Sequence, residues 1–193
     1  MNARRTRRGL IAAATAAAVL ALAGCGGDTP SGPVASDPAG TVGPTALPLT
    51  IPDPQGAAVM TLTGRIGAPN QEGAMVLDQT AVDSLGQVDL TVSDPFQKRS
   101  ITYKGVWLAD LLRAAGAETA AEGLKLTALD DYVVQFTMGE VQAGGMLLAV
   151  ANADGSAIAV ADGGPARVVF ADGTAAGANS DQWIWSLATI EVR

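Results

Sequence analysis

Tyr103-Lys104-Gly105-Val106-Trp107-Leu108-Ala109-Asp110-Leu111-Leu112-Arg113-Ala114-Ala115-Gly116 is the stretch on which the fold reading turns. Leu108, Leu111, Leu112 and Ala115 recur at i, i+3, i+4 and i+7, which gives one apolar face; Asp110 and Arg113 lie off it. Gly116 supplies a left-handed stop. The spacing predicts the main helix of one domain, from Tyr103 to Gly116. So narrow an apolar stripe needs a sheet to cover it, and strand-like segments flank it on both sides. The expected fold class is α+β, a mixed sheet with a few short helices.

Working outward from that helix, Val59 to Gly64 reads as a strand. Leu77-Asp78 to Leu85 reads as a short helix, with Asp78 as N-cap and Leu77 stapled to Val82. Val88, Leu90 and Val92 alternate with polar residues, which predicts a half-buried strand ending at Asp94-Pro95. Leu124, Leu126 and Ala128 alternate again, and Tyr132 to Thr137 is expected to be the next strand. Thr137-Met138-Gly139-Glu140 fits a capping box. Asp154-Gly155, Asp162-Gly163 and Asp172-Gly173 read as turns separating strands at Met146 to Val150, Ala157 to Ala161 and Arg167 to Ala171. A calcium loop at Asn152 to Gly155 lacks the bidentate acid it would need. Trp183 to Val192 is expected to be a closing strand.

The N-terminus carries a different message. Arg4, Arg5, Arg7 and Arg8 precede an apolar run from Leu10 to Ala23, broken only by Thr15, and then Leu22-Ala23-Gly24-Cys25. This reads as a signal peptide over residues 1–24, too short in its apolar part for the roughly 20 residues that span a bilayer. Leu22 to Cys25 resembles a bacterial lipobox, which implies lipidation of Cys25 and a membrane anchor on the extracytoplasmic side, in the cell envelope. Thr6-Arg7-Arg8-Gly9-Leu10-Ile11 resembles a twin-arginine export motif, and ordinary secretion stands beside it as the alternative. Residues 25–56 hold seven of the ten prolines and read as a disordered tether; the domain is expected over 57–193.

Composition narrows the function. Without the four N-terminal arginines, eight basic residues face nineteen acidic ones, a net −11, so nucleic acid is not an expected partner. Cys25 is the single cysteine, which leaves no disulfide within the chain. The sequence has no histidine, which removes the commonest general base and metal ligand.

The order of motifs resembles the molybdopterin-binding oxidoreductase domain of the sulfite oxidase family over most of Val59 to Val192. The pieces are the Tyr103 to Leu112 stretch, Ala128-Leu129-Asp130-Asp131-Tyr132, Leu147-Leu148-Ala149, Asp154-Gly155, Gly164-Pro165-Ala166-Arg167 and Trp183-Ile184-Trp185. The resemblance implies molybdopterin as a cofactor and a molybdenum-binding cysteine on the loop that is Val92 to Arg99 here. That loop has no cysteine; a Ser93 hydroxyl is a poor substitute for a thiolate unless deprotonated. The histidine contacts to the pterin phosphate are missing too, and Arg167 is the residue left to meet an anion.

The expected site is therefore a shallow pocket bounded by Ser93 to Arg99, Asp130 to Tyr132, Arg167 and Trp183, with Arg167, Ser93, Asp131, Tyr132 and Trp183 as its binding residues and no metal. Asp130-Asp131 reads either as a coupled carboxylate pair or as plain turn chemistry. Trp183 and Trp185, two apart on a strand, would share a face, which reads first as packing against the sheet or helix and otherwise as pocket lining. Lys98 and Arg99 read as a solvated loop tip or as an anion contact. The expected function is a membrane-tethered lipoprotein, without a bound cofactor or molybdenum catalysis, that binds a small ligand, an anionic one if Arg167 faces the pocket, or an envelope protein partner. A pterin-dependent oxidoreductase with altered metal ligation and a structural envelope role are the alternatives.

Overall fold

The computed structural model describes residues 50–193. The expected signal peptide, the lipobox-like segment with Cys25 and most of the expected tether lie outside them. Among the described residues no helix is long and apolar enough to cross a membrane.

The chain runs β1 (Met60–Gly64), β2 (Ala74–Leu77), α1 (Gln79–Ser84), β3 (Val88–Asp94), β4 (Arg99–Trp107), α2 (Leu108–Ala114), β5 (Gly123–Ala128), β6 (Val133–Thr137), α3 (Met138–Gln142), β7 (Met146–Asn152), β8 (Arg167–Phe170) and β9 (Leu187–Val192). These strands form two sheets. One has five strands in the order β2-β1-β9-β5-β6, the other four in the order β3-β4-β7-β8. The first is mixed, because β1 runs parallel to β9 while its other pairs are antiparallel; the second is antiparallel throughout. The expected α+β class with short helices is what forms.

Phe136 of β6 and Phe170 of β8 meet with ring centroids 6.0 Å apart, so the two sheets share one core. β7 lies between β4 and β8, and Met146 to Ala151 are all buried. That burial explains its unbroken apolar run, which fits a strand covered on both faces. α2 packs on β4 and β7 through Leu108, Leu111 and Leu112, each at most 4 % exposed.

The opening stretch is corrected in its first third: Arg99 to Trp107 is strand, and the helix begins at Leu108. Tyr103 to Gly105 have ladder partners on β3, and Tyr103 to Trp107 on β7. Ile101, Thr102, Tyr103 and Val106 are strand formers, so local preference and pairing agree. The register shifts between Lys104 and Gly105, and a Cβ at Gly105 would stand 2.1 Å from the Leu148 carbonyl oxygen. Only glycine permits that approach at the bulge.

Two other expected strands differ. Ala157 makes a single bridge to Ala151, after which Val160–Asp162 form a 3-10 turn closed by Gly163 at φ 90°. Asn152 intervenes here, donating from Nδ2 to the Ser156 hydroxyl and the Ala157 carbonyl. Trp183 to Ser186 are not strand either: Ser180–Gln182 form a 3-10 turn, Ser186 has φ 47°, and the ladder of β9 starts at Leu187. β2 carried no sequence signal of its own.

The caps appear as expected. Asp78 accepts from the Ala81 N–H at the start of α1, and Leu77 and Val82 are fully buried around it. Thr137 and Glu140 complete the capping box of α3. The packed chain extends ahead of the boundary expected at Ala57. Ile51 is 4 % exposed, and the Gln55 and Gly56 N–H groups donate to Asp78 Oδ2 at 2.6 and 2.9 Å. Asp78 thus caps a helix with one oxygen and holds the incoming chain with the other, and these backbone donors keep its carboxyl below the ordinary value.

Candidate functional site

β3 and β4 form a hairpin whose turn is Pro95-Phe96-Gln97-Lys98. Asp94 closes it: its Oδ1 accepts from the Phe96 and Gln97 N–H groups, both at 2.9 Å. Lys98 and Arg99 are exposed, and Arg99 donates to the neighbouring Gln97 side chain, so the solvated-tip reading describes them.

Side-chain alternation along β3 then sorts two polar residues to opposite faces. Ser93 points outward. Its N–H and hydroxyl both donate to Asp172, each at 2.9 Å, which holds the Asp172 carboxyl below its ordinary value. A hydroxyl that donates to a carboxylate keeps its proton, so Ser93 ties β3 to the turn after β8 and is not poised as an alkoxide.

Asp94 points inward and pairs with Arg167. Arg167 donates from Nη2 to Asp94 Oδ2 at 3.0 Å, and from Nη1 to the Tyr103 hydroxyl and the Asp162 carbonyl at 3.0 and 2.9 Å. Both charged side chains are 0 % exposed. The guanidinium also lies 4.6 Å from the Trp185 ring centre and 5.3 Å from that of Tyr103. Burial pushes the Arg167 pKa down against the opposing pull of Tyr103 and Asp94, and burial pushes the Tyr103 hydroxyl up. Arg167 is therefore a core cation, not a pocket wall. Asp94 and Tyr103 are not among the expected binding residues, although β3 carries the signal: Val88, Leu90, Val92 and Asp94 share one phase.

What remains of the expected pocket is aromatic. A hollow of about 320 Å³ is lined by Phe96, Asp130, Tyr132, Ser180, Asp181, Trp183 and Trp185. Phe96 meets Trp185 edge-on, with centroids 5.5 Å apart, and is half exposed. Gly163 seats Trp185 from beneath, since a Cβ there would lie 2.9 Å from the indole. Trp183 is held by Phe170 at 5.4 Å between centroids and by its indole N–H on the Gly177 carbonyl. The Tyr132 hydroxyl donates to the Asp181 carbonyl at 2.7 Å, which fastens two walls together. Trp183 and Trp185 do line one pocket, but as parts of an irregular segment rather than of one strand face.

Asp130 to Tyr132 form a turn. Asp130 accepts from the Tyr132 N–H and Asp131 sits at φ 66°, which is turn chemistry, and the pocket is lined by Asp130 and Tyr132 rather than Asp131. Ser93 belongs to a neighbouring hollow of about 260 Å³ with Asp172 and Gly177. A larger one, about 420 Å³, lies between Glu140, Gly144, Thr174 and Gln182; its walls include no aromatic ring. At Asn152 to Gly155 the Asp154 carboxylate is taken by the Ser156 N–H and hydroxyl, as in an Asx turn. Among the described residues no group of three or more acidic, cysteine or histidine side chains could hold a metal.

Residues 88–192 match the family model described as the oxidoreductase molybdopterin binding domain. Among solved structures, the chain is similar to the sulfane dehydrogenase SoxCD from Paracoccus pantotrophus, with a TM-score of 0.52 and 16 % identity. That match covers 70 % of this chain and 38 % of the other, so this chain spans well under half the length of the protein it resembles. The likeness is one of fold. No curated protein matches at a comparable level.

Proposed function

The chain belongs to the oxidoreductase molybdopterin-binding domain family, and we propose that it is a lipid-anchored, extracytoplasmic member that keeps the fold as a binding scaffold without molybdenum catalysis. Cys25 supplies the anchor, and the proline-rich chain after it holds the domain off the membrane. The aromatic pocket takes the ligand.

The observation that carries this reading is the burial of Arg167 against Asp94. A pterin-bound molybdenum calls for a soft thiolate on the metal and cationic donors for the phosphate. Residues 88–192 contain neither cysteine nor histidine. The one arginine that the family resemblance sets beside the cofactor is neutralised and sealed from solvent, and the Ser93 hydroxyl is spent on Asp172. The pocket that does open has two carboxylates in its lining and no lysine or arginine. These residues do not fit the group.

The same geometry removes the preference for an anionic ligand that an exposed Arg167 would have given. Protein purified from its native host and oxidised in denaturing acid would release any bound pterin in fluorescent form. The expected result is no stoichiometric pterin. One equivalent per chain would return the function to a pterin-dependent oxidoreductase with altered metal ligation.

A further inference from the structure

The pocket has one electrostatic sign. Phe96, Tyr132, Trp183 and Trp185 bring four rings to it, and the faces of aromatic rings carry the negative end of their quadrupole. Asp130 and Asp181, both exposed, are the charged side chains of the lining. Arg167 is 0 % exposed behind Trp185 and already paired with Asp94, and the exposed Lys98 and Arg99, in the same hairpin as Phe96, are not among the lining residues.

The walls are also fixed before anything binds. Tyr132 is bonded to the Asp181 backbone, Trp183 to the Gly177 backbone, and Trp185 is wedged between Gly163, Arg167 and Phe96. Fixed aromatic walls with carboxylates beside them are what an ammonium group selects: rings replace its hydration shell, and the acids supply the counter-charge. A volume of about 320 Å³ suits a compact small molecule.

We infer that the Phe96–Trp185 pocket binds a small organic cation, a quaternary ammonium or primary amine, held over the rings with Asp130 and Asp181 at its charged end. The inference rests on the binding-scaffold reading and gives it a ligand class. Binding is reversible and involves no chemistry.

The experiment is a tryptophan-fluorescence titration of the detergent-solubilised full-length protein with choline, with its neutral isostere 3,3-dimethylbutan-1-ol, and with benzoate. Choline should give a saturable change, with the isostere weaker by roughly fivefold or more. The Asp130→Asn, Asp181→Asn double variant changes only exposed carboxylates. It should melt at the wild-type temperature and bind choline roughly two- to tenfold more weakly. Phe96→Leu should weaken choline roughly two- to fivefold and leave the isostere nearly unchanged. Equal or tighter binding of the isostere would overturn the cation inference while leaving a ligand pocket in place. Saturable binding of benzoate in preference to choline, or no saturable response to choline, would overturn it as well. None of these outcomes bears on pterin content, which is read separately.

Discussion

Asp94→Asn isolates the buried charge pair. Asparagine keeps an Oδ1 acceptor for the Phe96 and Gln97 N–H groups, so the hairpin turn survives, but Arg167 loses its counter-charge in a site where both side chains are 0 % exposed. Removing one partner of such a pair costs about 3–5 kcal/mol, because the remaining charge has no water to turn to. For a domain of this size that corresponds to a fall in Tm of about 10–15 °C. The Asp94→Asn, Arg167→Met double variant removes the stranded charge and should recover about 1–3 kcal/mol of the loss, leaving the Tyr103 hydroxyl and the Asp162 carbonyl each short of one hydrogen bond. Urea unfolding followed by tryptophan fluorescence reads all three proteins, with the slope expected to stay constant. A single-variant loss below about 1 kcal/mol, or a double variant less stable than the single, would refute the claim that Arg167 is a core cation held by Asp94.

Three further outcomes are expected. Leu111→Ala, at a fully buried position on α2, should cost about 2–5 kcal/mol in the same assay, and a loss under about 1 would mean that α2 is not seated on β4 and β7. Asp78, Asp154 and Asp172 have folded-state pKa values below their ordinary 3.8, and Glu140 below 4.5. Their contribution is present above those values and is lost as pH falls through the depressed ones. The urea midpoint should therefore hold near neutrality and decline below about pH 4; a midpoint that rises on acidification from pH 5 to 3 would contradict the assignment. Cys25→Ser should move the protein from the carbonate-washed membrane fraction to the soluble fraction, and unchanged membrane retention would exclude the lipid anchor.

Legibility in the sequence followed locality. Caps, turns and alternating strands depend on residues a few positions apart, so Asp78, the Thr137–Glu140 box, β3 and β5 could be read directly. The split of the central stretch into β4 and α2 could not be read as easily. The i, i+3, i+4 pattern of Leu108 to Ala115 fails behind Leu108, where the same face falls on Lys104 and Gly105, but what makes the residues before Leu108 strand is pairing with β3 and β7, far away in sequence. The pocket was half legible. Its segments were expected together, and Tyr132 and Trp183 do line it. Arg167, Ser93 and Asp131 do not, because an inward Asp94, an acceptor at Asp172 and a positive φ at Asp131 turn each of them elsewhere. Phe96 and Asp181 enter only through the hairpin turn and the 3-10 turn, which no periodicity announces.

Whether this family member carries the family's metal decides between a binding scaffold and a pterin-dependent oxidoreductase. Molybdenum content per chain and the visible absorbance spectrum, measured on protein expressed in and purified from its native host, test that directly. The expected result is no stoichiometric molybdenum and no visible band, because residues 88–192 offer no thiolate or imidazole and the nearby guanidinium is sealed against Asp94. One molybdenum per chain, with a matching visible band, would contradict it.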